Sequence, residues 1–306
     1  MKDHAFVISC NPAYAYGMIA TMNAQEHFGT DADWEIAYED FTKQDMALIG
    51  SAYKNKVSWT PISELMEDVV DNREPVFAKT YPLQRFWLSY WLLAKKLLKE
   101  KKYKSVCVIQ ADEFCFVNLD VYFKMADNGI FVSTQYPFNT LNASELPFGD
   151  DHAITGRYNM PLFDAINFLG KNHIGIADDA VKFQCEDPYK EESNFSVVAL
   201  NRAACKHSSR DSILGLPGET WVCDSLWGRE NFRAWNDKIL TGESLQINAI
   251  HHRWWDEGRV TAELKSQEIN PIMHRKVRNN IYAVRDFMHR FYMMKPQLTE
   301  IATVHV

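Results

Sequence analysis

The chain is predicted to fold as an α/β protein, a Rossmann-type and mainly parallel sheet flanked by helices, with a helical extension at its C-terminal end. One sign is the run from Val106 to Ile109, continuously apolar and largely β-branched. That pattern suits a parallel strand buried on both faces better than a half-exposed antiparallel one. A second is a βαβ opening: an apolar run at Phe6–Cys10, helical composition from Ala13 to His27 closed by Gly29, and a second run at Trp34–Tyr38. Such a unit is the usual start of a nucleotide-binding sheet. The third is size, because 306 residues at 46% hydrophobic content can bury a large core.

The remaining elements follow in order. Residues 41–78 are less regular, with a helix expected from Pro61 to Val70. Pro82 suits the first turn of a stronger helix, whose apolar face carries Leu83, Phe86, Trp87, Tyr90, Trp91, Leu93, Leu97 and Leu98 and whose last turn is rich in lysine, as the helix dipole favours. Its aromatic stripe reads as core packing. A strand is expected at Gly129–Thr134, loop-rich chain from Pro137 to Pro188, and a core strand at Asn194–Asn201. From Gly218 the chain is dense in tryptophan, with Trp221, Trp227, Trp235, Trp254 and Trp255. A last helix is expected from about Asn279 to Met293, with Ile281, Val284, Met288 and Phe291 on one face and several basic residues on the other. The division expected is residues 1–278 as the main domain and 279–306 as a helix and tail packed on it or extending from it.

Composition narrows the function. No apolar stretch is long enough to span a bilayer, and the start reads directly into a first strand without a signal peptide, which predicts a cytoplasmic protein. The six cysteines, at 10, 107, 115, 185, 205 and 223, contain no CxxC pair, and Cys10 and Cys107 fall in strand-like runs as small core hydrophobes with reduced thiols. A net charge of −7 lacks the basic footprint of a protein that holds duplex DNA through its phosphates. There is no GxGxxG and no Walker motif.

The chemistry concentrates where the Val106 strand ends. Ligand sites of open α/β sheets lie beyond the carboxyl ends of the strands, so Asp112 and Glu113 are placed for work. The alternative is that they are strand-end acids in water. The pair His251–His252 with Asp256 is a second cluster of metal-ligand types, but adjacent histidines on one element point in different directions, which counts against it.

Five pieces stand in chain order: Tyr14 and Tyr16 after the first strand, Arg85 within Tyr81 to Leu88, Gln110-Ala-Asp112-Glu113 ahead of Leu119, Asn194-Phe-Ser196, and Met273-His274-Arg275-Lys276. Taken together they resemble the nucleotide-sugar glycosyltransferases of the GT-A fold, most closely glycosyltransferase family eight, the glycogenin and lipopolysaccharide-galactosyltransferase group. After the first strand, Tyr14 and Tyr16 are similar to the family's loop tyrosine near the nucleobase. Tyr81 to Leu88, with Arg85, resembles the arginine-bearing helix ahead of the metal strand. Gln110-Ala-Asp112-Glu113 followed by apolar residues and Leu119 is similar to the DxD motif, with Gln110 in place of the first acid. Asn194-Phe-Ser196 resembles an Asn-x-Gly strand of the acceptor pocket, with serine for glycine. Met273-His274-Arg275-Lys276 resembles the C-terminal metal histidine and phosphate-binding lysine, without the Lys-Pro-Trp that usually follows.

The resemblance spans roughly residues 5–280 and implies a retaining hexosyltransferase with a nucleoside-diphosphate sugar such as a UDP-sugar as donor. In it a divalent cation, manganese or magnesium, sits on Asp112, Glu113 and His274, with Gln110 as a neutral oxygen ligand. Tyr14 or Tyr16 stacks on the base, and Arg85 and Lys276 meet the phosphates; a metal-independent variant would instead steady the diphosphate with cations such as Lys79, Arg85, Arg275 or Lys276. Asp224 or Glu243 faces the reacting sugar, and Asn194 lines the acceptor pocket. The structural alternatives are that Arg85 pairs a neighbouring acid, Asn194 caps a turn and His274 is a surface histidine. A carbohydrate or lipopolysaccharide is the expected acceptor, and a modified base in DNA the second choice, since the basic last helix would meet phosphates. From another class comes a catalytically silent nucleotide- or sugar-binding or assembly protein, favoured by Gln110 and the missing Lys-Pro-Trp. Nucleotidyltransfer would use a similar sheet, but no glycine- and basic-rich loop near the N-terminus grips a triphosphate.

Overall fold

The computed structural model describes residues 2–70, 84–135, 162–186, 195–208, 212–221, 233–236, 238–240, 246–252 and 271–301. In chain order the elements are β1 (His4–Cys10), α1 (Ala15–Phe28), β2 (Asp33–Tyr38), α2 (Lys43–Ala52), β3 (Val57–Pro61), α3 (Ile62–Val70), α4 (Gln84–Lys99), β4 (Ser105–Ile109), β5 (Glu113–Cys115), α5 (Asp120–Asp127), β6 (Phe131–Gln135) and β7 (Leu162–Gly170). There follow α6 (Ile174–Glu186), α7 (Phe195–His207), β8 (Ile213–Leu216), α8 (Gly218–Trp221), β9 (Arg233–Trp235), β10 (Lys238–Leu240), β11 (Gln246–Ile247), β12 (Ala249–His251) and α9 (Pro271–Tyr292).

Seven strands form one sheet in the order β3-β2-β1-β4-β7-β6-β8. All run the same way except β7, which is antiparallel to both its neighbours, β4 and β6. The expected mainly parallel sheet is therefore present, with one reversed strand, β7, beside the central β4. Alternation along the strands feeds two cores. Phe6, Ile8 and Cys10 of β1, with Cys107 and Ile109 of β4, face α1, α5 and α9. Ala5 and Val7, with Val106 and Val108, face α3, α4, α6 and α7. Both faces being covered is why these strands read as unbroken apolar runs.

Local chemistry fixes the connections. Gly29 takes the left-handed conformation at φ 74° that ends α1, its N–H returning to Gln25 and Glu26, the role that favours glycine. Thr42 and Asp45 form a reciprocal capping box that starts α2, a motif that satisfies two otherwise orphan amides. The α9 helix lies across α1, held where Asn23 Nδ2 donates to the carbonyls of Phe291 and Tyr292. Among the described residues no helix is long and apolar enough to cross a membrane.

Three sequence expectations change. Asn201 lies in a helix, α7, not a strand, and anchors it by donating from Nδ2 to the carbonyl of Leu162 while its Oδ1 accepts from the Leu162 N–H. Part of the stretch read as loop-rich is β7, buried from end to end, followed by α6. The last helix begins at Pro271, eight residues before the expected start, with proline at a first-turn position where its missing N–H costs nothing. Apolar content alone predicts the strand over Asn194–Asn201, and helices and strands of a buried core share that content.

Two close contacts make predictions. A Cβ at Gly170 would lie 2.2 Å from the backbone oxygen of Ala126, so Gly170→Ala should lose about 1–3 kcal/mol, the usual cost of overpacking, with a lower urea midpoint and an unchanged slope. His173 is buried, accepting from Gly170 N–H at Nδ1 and meeting the Gly129 carbonyl through Nε2. Burial holds its folded-state pKa below the ordinary value, only partly offset by the Gly129 contact. A base with a depressed folded-state pKa contributes stability above its unfolded value that is lost as pH falls through it, at up to about 1.4 kcal/mol per pH unit. Thermal melts from pH 8 to pH 5 should therefore fall more steeply for the native chain than for His173→Gln.

Candidate functional site

The site is built at the carboxyl edge of the sheet, where β1, β2, β3 and β4 all end. Beyond Ile109 the chain turns, Glu113 N–H closing onto the Gln110 carbonyl at 3.1 Å. It then leaves the main sheet as β5, which pairs antiparallel with β12, His251 opposite Glu113. Helix α1 holds β5 from the other side: Thr21 Oγ1 donates to the Glu113 carbonyl and Gln25 Nε2 to that of Cys115. The turn is thus clamped between a helix and a strand. Its product is a close acid–imidazole pair, Asp112 Oδ2 to His251 Nε2 at 3.3 Å, supported by His252 N–H donating to the Asp112 carbonyl at 2.7 Å. Asp112 keeps 17% of its side chain in solvent and His251 keeps 9%.

A layer of buried polar groups lies beneath, on the α4 face of the sheet. Ser9 and Ser89 share a hydrogen bond of 2.6 Å. Tyr90 O–H donates to Asp164 Oδ2 at 3.1 Å. Ser196 on α7 supplies Asp164 with a further hydrogen bond. Burial pushes the Asp164 carboxyl up, while the bonds from Ser196 and Tyr90 and the nearby His251 hold it back. Burial likewise pushes the Tyr90 phenol far up, so it is a neutral donor at physiological pH. A buried carboxylate is tolerated only when paired in this way.

The expected site residues fall in several places. Gln110, Asp112 and Glu113 do share the strand-end turn, but Glu113 is wholly buried and in electrostatic reach of Cys115, leaving Asp112 as the acid with access to solvent. Tyr14, in a short 3-10 turn after β1, is half-buried at this edge, whereas Tyr16 is buried in packing, its ring 4.4 Å from Tyr292 and 6.4 Å from His289. Arg85 pairs Glu39 at 2.5 Å, so the ion pair weighed as its alternative is present. His274 and Lys276 lie in the first turns of α9. Lys79, Asn194, Asp224 and Glu243 lie outside the described residues, as does Asp256.

Sequence reasoning missed His251, Tyr90 and Asp164. Divergence of neighbouring histidines counts against the pair as a joint site. One of them suffices, since its strand runs beside Asp112. Tyr90 reads as core packing within an aromatic stripe, and Asp164 falls in a stretch read as loop-rich. The signal available for Asp164 was one acid inside the apolar run Leu162–Gly170, costly unless partnered.

No family model matches the chain, and no curated protein does. Solved structures match. The chain is similar to the apo structure of the bifunctional glycosyltransferase WbbM, with TM-score 0.58 at 12% identity over 98% of this chain and 51% of that one. It thus spans about half the length of that protein. An active-site mutant of LgtC gives TM-score 0.49 at 8% identity, over 89% of this chain and 99% of that chain. The apo structure of mouse xyloside xylosyltransferase 1 gives 0.48 at 12%, over 82% and 98%. What is shared at such identities is the fold, a GT-A-like glycosyltransferase fold.

Proposed function

We propose that the chain is a glycosyltransferase of the family-eight kind, moving a sugar from a nucleoside-diphosphate donor to a carbohydrate hydroxyl with retention at the anomeric carbon. The observation that carries this reading is the Asp112–His251 pair at the carboxyl edge of β4, where open sheets bind ligands. The GT-A-like fold supports it.

The donor set can be weighed for a divalent cation. Among the described residues no three His, Cys, Asp or Glu side chains cluster around one point. Asp112 and His251 supply one carboxylate and one imidazole, and Gln110 adds a neutral oxygen. That is sparse for a protein-only cage but fits an ion completed by substrate phosphates, the usual arrangement for magnesium. Such an ion would offset charge on the departing nucleoside diphosphate. His251, rather than His274, is the imidazole we assign to it. Tyr14 is assigned to the base, and Arg85 and Lys276 to the phosphates. Arg85 reaches them by exchanging its Glu39 partner. Asp224 or Glu243 is assigned to the sugar and Asn194 to the acceptor, on the family pattern. The acid–imidazole pair is fixed by the pairing of β12 with β5 and by the His252 N–H on the Asp112 carbonyl, and fixed groups of this kind are what transition-state stabilisation draws on.

Thermal shift tests donor binding. A nucleoside diphosphate at 100 times its Kd stabilises by about 2.7 kcal/mol, so UDP with manganese should raise the melting temperature by several degrees. Asp112→Ala and His251→Ala should each abolish that rise while melting near the native temperature without ligand. The same rise in both variants would remove this site as the donor site.

A further inference from the structure

Two buried oxygen acceptors lack a hydrogen-bond donor among the described residues, and they sit at the carboxyl ends of neighbouring strands: Asn11 Oδ1 after β1 and Glu39 Oε2 after β2. Cys10 stands opposite Tyr38 in the ladder, and the Glu39 N–H donates to the Cys10 carbonyl at 3.2 Å. The next residues out, Asn11 and Glu39, are therefore side by side. Asn11 keeps extended angles, φ −126° and ψ 172°, so strand alternation turns its side chain to the α4 face, where Ser9 meets Ser89 and Glu39 meets Arg85. Asn11 holds the N-cap position of the turn that bears Tyr14 but makes no capping bond, the ordinary use of such a residue. Glu39 Oε2 has Arg85 Nη2 at 2.5 Å, which supplies charge without an aligned N–H. Burial holds this carboxyl above its ordinary value against the pull of Arg85.

We propose that Glu39, with Asn11 beside it, binds the ribose hydroxyls of the donor nucleotide and selects ribonucleotides over their deoxy forms. This rests on the transferase reading, in which Arg85 leaves Glu39 for the phosphates. A buried carboxylate that gives up its cation has to be given donors in exchange. The vicinal diol of ribose brings two O–H donors to a group that only accepts. Position supports the same assignment. In doubly wound sheets the acid that follows the second strand bonds the ribose of a bound nucleotide, and here β2 ends at Tyr38 with Glu39 next in the chain. In the order β2-β1-β4, Glu39 is one strand from the loop of Tyr14 and two strands, about 10 Å, from the turn of Asp112. That span is within the length of a nucleoside diphosphate. The ion pair thus keeps both groups in place until the nucleotide arrives, its phosphates taking Arg85 and its hydroxyls taking Glu39.

Ribose is common to nucleotide donors of every base, so the test does not depend on which base is bound. UDP and GDP, each with manganese, are compared with their dideoxyribose forms, which lack both hydroxyls and keep base and diphosphate. The native chain should bind the better of UDP and GDP about thirtyfold more tightly than its dideoxy form, the scale of a hydrogen bond to a charged group. In Glu39→Ala that ratio should fall to about threefold or less, while affinity for the dideoxy form holds or rises because Arg85 is no longer shared. A part for Glu39 confined to folding would lower both affinities alike and leave the ratio unchanged, and that result overturns the proposal. A native chain that binds UDP or GDP with no regard to the hydroxyls overturns it too, without any variant. If neither nucleotide binds in either form, the transferase reading itself fails and this role falls with it.

Discussion

The register between β4 and β7 is the constraint on which the site depends. Because β7 alone runs against the sheet, its first residues, not its last, reach the carboxyl edge, and Ile109 faces Ile166 across the ladder. That pairing sets Asp164 beside Gln110 and leaves the chain free to turn out through Asp112 into β5. A one-residue slip would send every β7 side chain to the opposite face. Asp164 would then leave Tyr90 and Ser196 and enter the apolar core around Phe163 and Phe168. The buried carboxylate is therefore both a product of the register and a cost against the alternatives to it.

Much of the frame was legible in the sequence, because continuous apolar runs and their terminators carry the physics of a doubly covered sheet. β1, β2, β4 and α1 lie close to where residue pattern puts them. Two kinds of feature escaped. Phe195 to Asn201 is apolar and short, and burial on α7 produces the same composition as burial in a strand. β7 was hidden by Asp164 and Asn167, polar residues inside a central strand whose partners, Tyr90 and Ser133, come from 74 and 34 residues away. Local pattern cannot price a polar group whose hydrogen bond is supplied from so far along the chain.

The site shows the same split. Asp112 and Gln110 could be picked out because they end the clearest strand. His251 could not be ranked above His274, since only the antiparallel pairing of β12 on β5 brings it to Asp112. Tyr90 illustrates a subtler limit: the helical periodicity that marks it as core is correct, and its ring is buried, but its one polar atom is the partner of the buried Asp164. Bulk and polarity of a single residue serve different layers of the structure.

Turnover of a nucleotide sugar at the Asp112 turn is read by release of nucleoside diphosphate from a panel of such donors, with manganese and a simple sugar acceptor. Release is expected from one donor class, with a loss on the order of a hundredfold, the scale of one removed electrostatic contact at a reacting centre, in Asp112→Ala. Release that is undiminished in that variant, or no release from any donor, would contradict it.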